Sequence, residues 1–204
     1  MRNGLIFLGV LAVILAGCVH FRTVSTEIAP TVTTPEKSPA RVAVYFARRL
    51  LDCEVVRKPD TRYGAEHEYH YRWGPAVSEA LTRSVKAAYA NVVMVTGMPK
   101  PGEFDRVFSF DLPKADLVVE FIPGYLRQEA RARASINLTM EILDGKTMKP
   151  LKTLPVTARG SSTQDASGLA AYASSKFTEA MEKAIQQLSE IVSNLVITGA
   201  GEQR

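Results

Sequence analysis

Residues 131–145 read RARASINLTMEILDG, and their pattern decides the fold. Ala132, Ala134, Ile136, Leu138, Met140 and Ile142 alternate with Arg131, Arg133, Ser135, Asn137, Thr139 and Glu141. A period of two puts the apolar set on one side of a strand and the polar set on the other. Asp144-Gly145 is a hairpin signal, so Leu151 to Arg159 is predicted to return as the antiparallel partner. Pro155 has no amide hydrogen to give to a ladder, which confines that partner to an edge or a bulge. Such a hairpin builds a sheet with one apolar face and one wet face.

The elements on either side supply a cover for the apolar face. Downstream, Phe177, Ala180-Met181, Ala184-Ile185, Leu188, Ile191-Val192 and Leu195 recur at three- and four-residue steps, the stripe of a long amphipathic helix. It is predicted to start near Gly168 and to end at Gly199 and Gly201. Upstream, Ala115 to Pro123 (ADLVVEFIP) is the most apolar strand and is placed centrally in the sheet. Val42 to Ala47 and Cys53 to Val56 read as strands, and EHEYHYRW (Glu66 to Trp73) alternates again. Gly74-Pro75 then opens a second amphipathic helix, with proline at its favoured first position. Val77, Ala80-Leu81, Ser84-Val85 and Ala88 form its apolar face; Asn91 is read as its stop, and Val92 to Val95 as a short buried strand. The expected architecture is α+β: a two-layer sandwich with a mostly antiparallel sheet, two helices on one face, and a long C-terminal helix.

The N-terminus is of another kind. Arg2 precedes an uncharged apolar run, Gly4 to Ala16, which is too short to span a bilayer. A basic start, a short apolar core and a small-residue site describe a secretory signal peptide. From Phe21 to Ala40 the chain is rich in Thr and Ser and holds Pro30, Pro35 and Pro39 without a period; the segment is either an extended tether or packs in part as an added edge strand. The expected division is a signal peptide at 1–17, Cys18 and a flexible tether at 18–40, one domain at 41–198, and a frayed tail at 199–204.

Composition bounds the function. The chain has 204 residues, 23% of them charged, with a formal charge of +4. This mild excess gathers into no nucleic-acid stripe. Two cysteines in an exported protein would ordinarily pair. If Cys18 is modified, Cys53 is either a small half-buried residue or an intermolecular disulfide partner.

Three groups of residues invite chemistry. His67 and His70 fall on opposite faces of an alternating strand and share no ion there, so no metal site is expected. Tyr69, Tyr71 and Trp73 share one face; they are either core or a stacking platform for a sugar or a partner's apolar side chain. Arg127, Glu129, Arg131 and Arg133 line one face of the long strand, with Asp116 or Glu120 across from them. That row is either cross-strand charge pairing on a wet face or an electropositive strip for an anionic polymer, headgroup or neighbouring subunit. Gly-x-Ser-x-Gly elbows, phosphate-binding glycine loops and paired cysteines at zinc spacing are all missing from the sequence. No cofactor and no enzymatic activity are therefore expected.

Leu15-Ala16-Gly17-Cys18 resembles the lipobox of bacterial lipoproteins. The resemblance implies a diacylglycerol thioether on Cys18, cleavage before it and acylation of the new amino terminus. Three acyl chains suffice for stable anchoring. The residue after the cysteine is Val19, not Asp, which in lipoproteins of enteric-type bacteria implies the outer membrane, here at its periplasmic face. From Arg41 to Val196 the order of elements resembles the small α+β domain of envelope accessory lipoproteins. Those of curli secretion and Pel polysaccharide export, and the N-terminal domain of the Tol translocation protein, are examples. That resemblance implies a non-enzymatic scaffold or adapter in an envelope assembly, secretion or transport machine. Its partner would be an envelope protein or a second copy of the chain. A lipid- or glycan-binding lipoprotein using the exposed sheet face is the alternative, and a hydrolase built around His67 or His70 a third reading.

Overall fold

The computed structural model describes residues 19–32, 34, 36–58, 68–122, 129–165 and 175–201. Its backbone is dominated by the hairpin. Strand β7 (Glu129–Asp144) pairs antiparallel with β8 (Pro150–Asp165) from Glu129↔Asp165 to Leu143↔Pro150. Ala130, Ala132, Ala134, Ile136, Leu138, Met140 and Ile142 are all buried, so the alternation in the sequence translates directly into an inner face. β8 is an edge strand, with Pro155 opposite Thr139, as the missing amide hydrogen requires.

The other six strands are β1 (Val19–Thr23), β2 (Ser38–Phe46), β3 (Glu54–Arg57), β4 (Glu68–Arg72), β5 (Tyr89–Val95) and β6 (Arg106–Ile122). Among the described residues three helices accompany them: α1 (Arg48–Leu51), α2 (Gly74–Ala88) and α3 (Ser175–Gly201). The main sheet has the order β5-β2-β6-β7-β8, and β1-β4-β3 form a second, three-stranded sheet. The class is α+β, as the sequence pattern predicts. β6 is central, between β2 and β7, and runs antiparallel to β7. The outer part of the sheet is parallel, since β2 pairs parallel with both β5 and β6.

Both long helices pack on one face of the main sheet, and their predicted stripes are the buried ones. Val77, Ala80, Leu81, Val85 and Ala88 of α2 are buried, as are Phe177, Ala180, Met181, Ala184, Ile185, Leu188 and Val192 of α3. The helices touch through small residues. Ser84 Oγ lies 3.0 Å from Ser189 Oγ in a fully buried contact, and Ser84 also bonds back to the Ala80 carbonyl. Gly160 on β8 lets α3 approach closely, for a Cβ there would fall 2.0 Å from the Ala180 carbonyl oxygen. On the opposite face Ala43, Val107, Leu143 and Phe104 form a small second core. The hairpin end is tied there by the Gly102 amide donating to the Gly145 carbonyl at 2.7 Å.

Several expectations are corrected. Of the two readings of the segment after Cys18, the flexible tether gives way to the edge strand at its start: β1 is an edge strand and pairs parallel with β4. Beyond it, residues 24–32 lie along the helices. The Ser25 amide donates to Glu182 at 3.2 Å, Gln186 to the Ala29 carbonyl at 3.1 Å, and Arg83 to the Ile28 carbonyl at 3.3 Å. Asn91 does not stop α2. Tyr89 is already extended, and Asn91 sits within β5, donating to the Pro39 carbonyl at 2.7 Å. β5 is an exposed edge and not a buried strand, with Met94 54% exposed. Gly199 does not end α3, which continues to Gly201. The predicted helix start at Gly168, the signal peptide and the tail beyond 201 lie outside the described residues.

Candidate functional site

Cys18, His67 and Arg127 lie outside the described residues. The other predicted site residues fall into two separate places. Tyr69 and Tyr71 alternate on β4 and turn inward, and Trp73 precedes the first turn of α2. All three are buried, Trp73 completely. His20 of β1 stacks on Tyr69 at 4.9 Å, and the Arg22 guanidinium lies 5.8 Å from the same ring. These aromatics therefore belong to the core beneath the small sheet and present no open stacking platform.

The opposite, outward face of that sheet carries His70. Its Nδ1 pairs with Glu54 at 3.1 Å and its Nε2 with Glu68 at 2.9 Å. The two carboxylates thus occupy different nitrogens instead of converging on one point, and among the described residues no cluster with metal-ligand character forms. Lys58 pairs with Glu68 at 2.8 Å and Arg72 with Glu54 at 3.6 Å. The hydrogen bond with Glu54, then that with Glu68, outweighs desolvation and holds the His70 pKa above its ordinary 6.5. Chiefly through Lys58, the Glu68 carboxyl is held below its usual value.

Arg131 and Arg133 sit where their alternation puts them, on the wet face of the main sheet. Register arranges that face in rows: Glu120–Arg131–Thr163, Val118–Arg133–Ser161 and Asp116–Ser135–Arg159. Arg133 reaches diagonally to Glu120 at 3.0 Å. Asp116 is taken from the other side by Arg57 of β3, which also donates to the Leu117 carbonyl and so clasps the small sheet to the main one. Among the described residues no ion pair joins Arg131 or Arg159 to a carboxylate, and Glu129 shares their face two residues from Arg131. Val118, Glu120, Arg133, Ser135, Arg159 and Ser161 line a depression of about 560 Å³. Arg159 is not evident in the sequence, because the longer connection at 145–149 and a bulge between Ile142 and Leu143, not a two-residue Asp-Gly turn, set it opposite Ser135. Of the arginine row, Arg133 is paired across strands with Glu120.

Cys53 is half-buried and unpaired by any disulfide. Burial pushes its thiol pKa up. No helix among the described residues is long and apolar enough to cross a membrane.

No family model matches the sequence, and no curated protein matches it. Solved structures share the fold. Protein XCC0632 from Xanthomonas campestris, of family DUF330, superposes with a TM-score of 0.57 at 13% identity, over 90% of this chain and 98% of that one. A putative neuraminyllactose-binding hemagglutinin homolog from Helicobacter pylori gives 0.51 at 9% identity, over 85% and 95%. A minor lipoprotein from Acinetobacter baumannii is looser, at 0.44 and 7% identity over 80% and 95%, and decides nothing at that score. At such identities the likeness is one of fold alone.

Proposed function

We propose that the protein is a lipoprotein of the bacterial envelope, held by acyl chains on Cys18 at the periplasmic face of the outer membrane. There it acts without catalysis as a scaffold or adapter in an assembly, secretion or transport machine. The observation that carries this reading is the sequence Leu15-Ala16-Gly17-Cys18, closing a short apolar run and followed within one residue by folded domain. The scaffold role draws support from two sheet edges. β8 offers sixteen residues at one end of the main sheet and β5 offers Val93 and Met94 at the other. Unpaired edges are templates for a further strand. Crosslinking in membranes, followed by mass measurement of the purified complex, tests it. A reproducible protein neighbour or a closed ring of copies is expected; a persistently lone monomer overturns the role.

The depression beside Arg133 and Arg159 favours one second reading, a carried anionic lipid or glycan. Native mass spectrometry of protein purified from membranes separates the two, since a carried ligand adds discrete mass.

A further inference from the structure

The chain has no slack between Cys18 and the folded body. Val19 is already the first residue of β1, in register with Glu68 of β4. At about 3.3 Å per strand residue, Phe21 stands within about 10 Å of the Cys18 backbone. The headgroup layer on each side of a bilayer is only about 5–8 Å deep. A sulfur carrying acyl chains therefore brings the face that holds Phe21 down to the leaflet.

That face is built for it. His20 and Arg22 turn inward with Tyr69 and Tyr71, leaving Val19, Phe21 and Thr23 outward. Phe21 is 59% exposed and Val19 53%, and Val56 of β3 is exposed on the same side. Phe21 lies 5.1 Å from the His70 ring and 4.7 Å from the Arg72 guanidinium. Each carboxylate of the face is already matched: Glu54 by His70 and Arg72, Glu68 by His70 and Lys58. Among the described residues none is left to repel phosphate. Apolar side chains rimmed by long cationic ones are what the headgroup–acyl boundary accommodates.

We infer that the outer face of the β1-β4-β3 sheet is a bilayer-docking surface. Phe21 and Val19 enter the leaflet that holds the Cys18 acyl chains, and Arg72 and Lys58 stand at the level of its phosphates. The inference rests on the lipid anchor proposed above and adds to it a fixed orientation of the domain on the membrane.

The test uses the full lipidated protein with Cys53→Ala and a single Phe21→Cys, labelled with an NBD fluorophore. It is added to preformed vesicles of phosphatidylethanolamine and phosphatidylglycerol, and external dithionite then bleaches the exposed label. Leu151→Cys on β8, also exposed, is the comparator. The label at 21 is expected to bleach about ten-fold more slowly than that at 151, with blue-shifted emission. Equal rates in protein that floats with the vesicles overturn the docking face and leave the anchor standing. Protein that fails to float refutes the anchor and the docking face together. If Phe21→Cys does not fold, Val56→Cys reads the same surface with the same expectation. A label open in pure vesicles but shielded in native membranes means a protein covers this face, and also overturns the inference.

Discussion

The approach of α3 to β8 at Gly160 yields the sharpest test of the fold. A Cβ added there falls 2.0 Å from the Ala180 carbonyl oxygen and 2.5 Å from the Ala184 amide nitrogen, where ordinary contact begins at 3.4 Å. Both obstructing atoms are helix backbone, which no rotamer change moves, so Gly160→Ala forces α3 to retreat by more than an ångström. The retreat loosens Ala180, Met181, Ala184 and Ile185 against β7 and β8, all of them fully buried. Overpacking of a closed core costs about 1–3 kcal/mol, and a backbone obstruction belongs at the upper end. Alanine also narrows the unfolded ensemble, which offsets about 0.4–1 kcal/mol. The net loss is about 2 kcal/mol, a Tm drop of about 4–8 °C for a domain of this size. Gly199→Ala, in the same helix with nothing near its Cβ position, should instead gain up to about 1 kcal/mol from helix propensity. Paired thermal melts followed by circular dichroism read both. A Gly160→Ala variant that melts at or above the wild-type temperature refutes the packing described.

Two further outcomes separate core from surface and fix the role of His70. Trp73→Ala should cost about 3–5 kcal/mol, while Arg133→Ala on the wet face should stay within about 0.5 kcal/mol; chemical denaturation compares them, and similar losses would contradict the assigned burial. The folded pKa of His70 lies above its ordinary 6.5, so its contribution to stability is complete below that value. It fades as pH rises through the folded pKa. His70→Gln should abolish this decline in melts run across that window, and an unchanged slope would show that another group causes it.

Much of the architecture is legible in the sequence because its pattern is local. The β7–β8 hairpin follows from strict alternation and one Asp-Gly signal, and α3 from one continuous stripe. What escaped depends on partners distant in sequence. β1 is only five residues long and joins β4 across some fifty positions, with Thr and Ser in the following segment that suit a tether equally well. The first half of β6 was missed because Arg106, Ser109 and Asp111 interrupt its apolar residues. Arg106 is in fact buried, donating to Tyr89 Oη at 3.5 Å and to the Gly199 carbonyl at 3.3 Å. Tyr69 and Tyr71 share one side of β4, with Trp73 just beyond its end, but alternation alone does not say which side faces solvent; β1 settles it by laying His20 over Tyr69. The arginine strip was half visible, since Arg131 and Arg133 share a strand while Arg159 joins them only through register.

The central claim concerns one sulfur atom. Intact mass spectrometry of the protein extracted from membranes, with sequencing of its first peptide, tests it most directly. The expected result is a chain that begins at Cys18, with a diacylglyceryl thioether on that residue and a third acyl chain on its amino group. A first peptide that begins elsewhere, or a Cys18 thiol that still reacts with maleimide, would contradict it.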